Sequence, residues 1–324
     1  MNILVWHVHG SWMSAFVQGK HRYLVPVTAD RGPYGLGRAR TYVWPESAVE
    51  VGPDELPSAD VDVVVLQRPE EWELAGRWLR RRLGRDVPVV FVEHNTPKGD
   101  VPNSRHVYAD RDDLLLVHVT HFNDLFWDCG STRTAVVEHG VVAPEVGWSG
   151  ELGRLAVVTN EPVRRWRVTG TDLLPRFAAV APVDVFGMGV AGLPDRLGLP
   201  DDRLAVFEDL PQSRLHEQVA RRRVYVHLCR WTSLGLSLIE AMAMGMPVVV
   251  LGTTEAVAAV PPDAGVLATR VTDLVEAAAW LVEDPAAGQR LGQRARQEAV
   301  RRYGLDRFLA DWDRVLEEEV CAWR

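Results

Sequence analysis

Residues 227 to 251 read HLCRWTSLGLSLIEAMAMGMPVVVL. A strand ends near Leu228, a polar loop containing Gly235 follows, and an apolar helical pattern runs from about Ser237 to a stop at Gly245 and Pro247. A second strand starts at once at Val248. Strand, loop, helix and strand in so short a space make one step of a parallel sheet, because parallel neighbours require a crossover and a helix is its usual form.

The same step recurs outward from this segment. Val-rich runs of strand length alternate with longer amphipathic stretches, the pattern of a parallel sheet covered by helices on both faces. In the first half these runs are 3–8, 22–27, 61–66, 87–92, 114–119 and 134–137; in the second they are 154–159, 183–186, 204–207, 224–228 and 247–251. Between the halves, Val141-Val142-Ala143-Pro144-Glu145-Val146-Gly147-Trp148-Ser149-Gly150 is punctuated by Pro, Gly and Ser after a strand, which predicts a domain boundary. The expected domains are residues 1–147 and 148–305. Phe308, Trp312, Val315 and Leu316 then fall at helical spacing, so residues 306–324 are expected to form an amphipathic helix that packs back on the first domain.

The chain has 324 residues, 47% apolar and 25% charged, enough for two domains with buried cores. Its net charge of −8 argues against a protein that tracks nucleic-acid phosphates. The three cysteines, Cys129, Cys229 and Cys321, are too few and too scattered for a disulfide framework or a zinc cluster. Apolar runs stay well below the roughly 18 residues of a membrane helix, and the opening Met1-Asn2-Ile3-Leu4-Val5-Trp6 lacks a basic region or cleavage site. A soluble cytoplasmic protein is expected.

The loop that enters the 237–244 helix has a definite chemistry. Helix N-termini present unpaired N–H groups and the positive end of the macrodipole, and Gly235 lets the backbone approach an anion such as a phosphate. Glu240, one turn further on, has two readings. It accepts hydrogen bonds from a ribose diol, or it closes a capping box with Ser237.

The segment Glu240-Ala241-Met242-Ala243-Met244-Gly245-Met246-Pro247-Val248-Val249 resembles the nucleotide-sugar site of the retaining GT-B glycosyltransferases of family four. The likeness extends over most of the second half, through Phe186-Gly187, Val206-Phe207, the 214–220 helix and Gly265-Val266-Leu267. In the first half it is carried by His94 after a strand and by Glu138-His139-Gly140-Val141. It implies an α/β GT-B fold: two facing Rossmann-like, doubly wound domains, acceptor on the first and nucleotide sugar on the second, with an interdomain cleft.

By this resemblance Glu240 holds the ribose, and the amides of Leu234, Gly235 and Leu236 hold the diphosphate or sugar. The family's first glutamate falls at Thr232, which departs from the pattern and bears on donor choice or on activity itself. The family's basic pair lies after the first strand of the second domain. The only lysines are Lys20 and Lys98, so the cations there must come from Arg164, Arg165 and Arg167, suited to stabilising a leaving diphosphate. His94 is expected to face the donor sugar, and Gly10, after the first strand, to lie near the phosphates and acceptor. Trp12 either stacks on an acceptor ring or packs.

Two strings are discounted. Gly187-Met188-Gly189-Val190-Ala191-Gly192 spells a dinucleotide fingerprint, with Glu208 downstream, but Pro194, Gly198 and Pro200 break the helix that the fingerprint requires. Asp60-Val61-Asp62 spells D-x-D but precedes its strand, so no metal is implied. The basic run 77–85 reads as a solvated helix face in preference to a peripheral membrane contact.

The expected function is transfer of a sugar, with retention of configuration, from a nucleotide-diphosphate sugar to a hydroxyl of a carbohydrate, lipid-linked or small-molecule acceptor. Neither a cofactor nor a metal is expected. The alternatives are a catalytically silent nucleotide-sugar-binding protein and a GT-B epimerase.

Overall fold

The computed structural model describes residues 1–323. They form two compact units: Met1–Val142 together with the C-terminal residues from Leu305, and Ala143–Gly304.

The first unit is built on seven parallel strands: β1 (Asn2–Val5), β2 (Arg22–Pro26), β3 (Ala48–Val51), β4 (Val63–Leu66), β5 (Val89–Glu93), β6 (Leu115–His118) and β7 (Thr134–Val136). Their order is β3-β2-β1-β4-β5-β6-β7. Central strands are buried on both faces, which is why β4 reads as an unbroken VVVL. The edge strand β3, AVEV, is short and buried only at its two ends, so it gives little sequence signal.

Helices α1 (Gly10–Phe16), α2 (Glu70–Leu79) and α3 (His121–Phe126) connect these strands. Thr120 caps α3, its hydroxyl oxygen accepting from the Asn123 amide. Helix α2 ends at Leu79 because Arg80 turns left-handed, at φ 55°. The basic run is therefore not one helical face. Arg81 donates to the Ala59 carbonyl at 2.9 Å, and Arg82 pairs with Asp86.

The C-terminal helix Leu305–Trp323 belongs to this unit and buries Phe308, Trp312, Val315, Leu316 and Val320. Trp312 meets Trp12 edge-on at 5.6 Å and Phe16 at 5.1 Å. Trp12 is fully buried, so it is a packing residue rather than an exposed acceptor platform. Gly140 admits the helix, since a Cβ there would lie 2.3 Å from that of Phe308. Arg307 donates to the carbonyls of Glu138 and His139, which ties the turn after β7 to the helix.

The second unit has six parallel strands: β8 (Leu152–Val158), β9 (Val183–Gly187), β10 (Leu204–Glu208), β11 (Arg222–His227), β12 (Val248–Leu251) and β13 (Gly265–Ala268). Their order is β10-β9-β8-β11-β12-β13. The helices are α4 (Pro162–Arg165), α5 (Leu174–Ala178), α6 (Leu193–Leu197), α7 (Gln212–Ala220), α8 (Leu236–Ala243), α9 (Ala256–Ala259), α10 (Val271–Glu283) and α11 (Pro285–Tyr303). Pro194 does not prevent α6, because proline is tolerated in a helix's first turn, where its missing N–H has no partner to lose. Leu155, Val185, Val226 and Val249 pack from the sheet against Leu274, Ala278 and Leu281 of α10.

Both sheets are doubly wound. Strand order reverses between β1 and β4 in one and between β8 and β11 in the other. Connections leave opposite faces at such a point, opening a crevice at the carboxyl ends of the two strands where ligands bind.

Candidate functional site

In the second unit the switch point falls between Val158, at the end of β8, and His227, at the end of β11. Two loops therefore meet there, one carrying the arginines and one carrying Gly235. Their contact is direct: the Arg230 amide donates to the Val168 carbonyl at 2.8 Å.

Helix α8 starts at Leu236 with Gly235 as its N-cap residue, and no side chain caps it. Among the described residues, the amides of Leu234, Gly235 and Leu236 find no backbone acceptor. They remain open to an anion, with the helix dipole behind them. Gly235 is required by a close approach, since a Cβ would lie 2.4 Å from Cε1 of His227. His227 is buried, which lowers its pKa to about 4 and keeps it neutral.

The structure corrects the capping-box reading. Ser237 sits inside α8 rather than before it, and its hydroxyl bonds to that of Tyr225 at 2.9 Å. Tyr225 is fully buried on β11, so this bond fixes the helix to the sheet. Glu240 is consequently free of a capping duty. The residue is 6% exposed and its carboxylate faces α7, where Gln212 Nε2 donates to Oε1 at 3.2 Å and His216 Nε2 lies 3.5 Å from Oε2. The helix ends at Met244 and Gly245, the latter left-handed at φ 82°.

The three predicted arginines differ in what they touch. Arg164 is exposed and lies 3.5 Å from Glu161. Arg167 pairs with Asp172 at 3.3 Å. Arg165 is half-buried near Cys229 and, among the described residues, has no carboxylate partner. Its charge is the least committed of the three. Sequence reasoning passed over Arg230, whose guanidinium grips both oxygens of Asp172 at 2.6 and 2.9 Å and the Arg167 carbonyl at 2.8 Å. The loop bearing Arg165 is strained, with Glu161 at φ 56° and Trp166 at φ 22°, non-glycine residues in conformations that disfavour a Cβ. Thr232 lies half-buried in the adjoining loop.

In the first unit His94 follows β5, and its imidazole lies tilted against His9 at 4.0 Å between centroids, with Trp12 edge-on at 5.1 Å and His139 at 6.4 Å. Three polar atoms of this cluster are buried without a partner: Trp12 Nε1, His94 Nε2 and His139 Nδ1. Burial pushes His94 well below the ordinary imidazole range, and His9 and His139 act in the same direction. His9 is lowered to about 4 and His139 to about 3, chiefly by burial. The three rings are neutral near pH 7. The turn is held from below by Glu93, which accepts from the Asn95 amide at 2.6 Å and pairs with His106 at 3.0 Å. Gly10 opens α1 beneath the Tyr42 ring.

The discounted strings have structural reasons of their own. The amides of Gly189, Val190 and Ala191 all point at the Glu208 carboxylate, at 2.6 to 2.9 Å, so the turn that spells a dinucleotide fingerprint already holds an internal anion. Asp62 accepts from the Asn2 amide at 2.7 Å and precedes β4. Among the described residues no cluster of three or more His, Cys, Asp or Glu side chains is arranged to hold a metal ion, and no helix is long and apolar enough to cross a membrane.

Residues 198–298 match the family model described as glycosyl transferases group 1. No curated protein sequence matches significantly. Among solved structures, the chain is similar to sucrose-phosphate synthase from Thermosynechococcus elongatus: 14% identity, TM-score 0.73, covering 99% of this chain and 100% of that one. HepE from Anabaena, solved in complex with UDP-glucose, gives 14% identity and a TM-score of 0.69 over 98% of this chain and 100% of that one. A glycosyltransferase from Rickettsia africae gives 13% identity and a TM-score of 0.66 over 99% and 98%. The two parallel-sheet α/β units have the GT-B fold. The segment that matches this model contains α7, the 228–235 loop and α8.

Proposed function

We propose that this protein is a glycosyltransferase that takes a sugar from a nucleoside-diphosphate sugar and transfers it, with retention of configuration and without a metal ion, to a carbohydrate hydroxyl. One observation carries the reading. At the switch point of the second unit, an uncapped helix N-terminus behind Gly235 stands beside the loop of Arg165, with the Glu240 carboxylate one turn further on. Anion donors followed by a diol acceptor match a nucleoside diphosphate in order and in charge.

In this reading the amides of 234–236 and Arg165 hold the diphosphate and stabilise the charge that grows on it as the glycosidic bond breaks. Arg164 and Arg167 lend positive potential at longer range. Thr232 lies toward the sugar. The neutral His94 imidazole, held among the His9, Trp12 and His139 rings, positions the transferring sugar by hydrogen bonding. Support for the donor class comes from the glycosyl transferases group 1 match and from the UDP-glucose in the HepE complex.

The test is turnover of UDP-, GDP- and ADP-sugars in EDTA with a panel of saccharide acceptors, with the anomeric configuration of the product read by NMR. An inverted product removes the retaining assignment. A second reading, a silent nucleotide-sugar-binding protein, is favoured by the hydroxyl of Thr232 where the resemblance places a carboxylate. Tight nucleotide binding with neither transfer nor donor hydrolysis selects it.

A further inference from the structure

Resting on that reading, we infer that α7 completes the nucleoside site: His216 reads the ribose 2′-hydroxyl and restricts the donor to ribonucleotides, and Gln212 faces the adjacent hydroxyl. The residues concerned come from two helices and are brought together only by the fold. Glu240 projects from α8 and is 6% exposed; His216 projects from α7 and is 7% exposed. Gln212, one helical turn before His216, is half-buried.

Glu240 Oε1 accepts from Gln212 Nε2 at 3.2 Å. On the other side, His216 Nε2 stands 3.5 Å from Oε2, yet it is a buried nitrogen without a hydrogen-bond partner. A buried polar atom that makes no bond is costly and calls for an explanation. Here the missing partner is a group that both donates and accepts.

A hydroxyl meets that requirement. It donates its proton to the carboxylate and accepts from the Nε2–H of the imidazole, which satisfies both residues at once. An ionised carboxylate alone recognises any donor. A carboxylate flanked by an N–H donor recognises a hydroxyl, and the carboxamide N–H of Gln212 offers the same pairing on the other oxygen for the adjacent hydroxyl of a diol. A 2′-deoxyribose leaves His216 Nε2 unpaired, and a site built to bond a hydroxyl rejects its absence more strongly than an apolar pocket would.

The experiment is isothermal titration of the full chain with matched pairs: UDP and 2′-deoxy-UDP, GDP and 2′-deoxy-GDP, ADP and 2′-deoxy-ADP. For the nucleotide that binds, the ribo form is expected to be tighter by about tenfold or more. In His216→Leu the ribo form weakens while the deoxy form barely changes, so the ratio falls towards about two. Gln212→Leu, which removes the partner of the adjacent hydroxyl, weakens both members of a pair and leaves the ratio nearly unchanged.

A purely structural His216 would instead weaken both members of a pair alike, and that result overturns the inference. So does equal binding of the ribo and deoxy forms by the unaltered protein. In both cases Glu240→Ala still separates the two claims. If it weakens the ribonucleotide, the nucleotide site stands and only the role of α7 falls. If none of the six nucleotides binds, the nucleotide site itself falls and the inference with it. Thermal unfolding of each variant identifies any loss that is due to misfolding.

Discussion

Acidification should unfold the first unit ahead of the second. Burial lowers His9 to about 4, His118 to about 4 and His139 to about 3, and pushes His94 well below its ordinary value. In an unfolded chain each titrates near 6.5. Below that pH the unfolded chain binds protons that the folded unit refuses. Stability is therefore full above about pH 6.5 and falls as the pH drops towards the folded values. At pH 5 each of His9, His118 and His139 costs about 2 kcal/mol, so the three set a ceiling of about 6 kcal/mol, comparable with the whole stability of a domain, and His94 acts in the same direction.

The second unit carries His227, lowered to about 4, and so faces a ceiling of about 2 kcal/mol from it over the same interval. Buried Glu71 in the first unit is raised by desolvation and works in the opposite sense, offsetting part of the loss. The assay is hydrogen exchange read by mass spectrometry from pH 7.5 to 4.5, corrected for intrinsic rates, alongside urea unfolding at each pH. Peptides of residues 1–142 should lose protection first. His118→Gln removes a histidine outside the His9–His94–His139 cluster and should reduce the slope by about 1.4 kcal/mol per pH unit. Equal protection of both units at pH 5, or an unaltered slope in that variant, refutes the reasoning.

Other perturbations address single links of the argument. Glu240→Ala should weaken nucleotide binding by about 1 to 3 kcal/mol while leaving α8 intact, because Ser237 rather than Glu240 anchors that helix; calorimetry and circular dichroism together check it. Arg165→Ala should weaken a nucleoside diphosphate by about tenfold and a nucleoside hardly at all, whereas Arg167→Ala, already paired with Asp172, should change either by less than about threefold. Gly235→Val should abolish diphosphate binding, since its Cβ meets His227; a titration showing unchanged affinity would deny the close approach. Trp312→Ala should cost the first unit about 3 to 5 kcal/mol in denaturant unfolding by opening the space beside Trp12 and Phe16.

What could be read from the chain beforehand was local in origin. The run from His227 to Leu251 carries its own strand, stop signals and helix period, so the α8 step and Gly235 were legible there. The C-terminal helix announced its buried face through Phe308, Trp312, Val315 and Leu316. Contacts between distant residues left no such trace. Gln212 and His216 reach Glu240 across 28 and 24 residues of sequence, and only packing of α7 beside α8 joins them. The ranking of the arginines depends on Asp172, held by Arg230 from 58 residues away. The capping-box reading failed because Ser-x-x-Glu spacing is the same at the start of a helix and inside it. Only the bond from Ser237 to Tyr225 shows which case applies. Likewise, the glycine string at 187–192 shows nothing of the Glu208 carboxylate that fills it.

The most direct test is a thermal shift of the purified protein against UDP, GDP, ADP and dTDP, each with EDTA and with magnesium. At about one hundred times its dissociation constant a ligand adds roughly 2.7 kcal/mol, enough to raise the midpoint by several degrees. A shift with one ribonucleoside diphosphate, equal with and without magnesium and lost in Glu240→Ala, is the predicted result. No shift with any of the four, or a shift that survives Glu240→Ala unchanged, would contradict a nucleotide site at the head of α8.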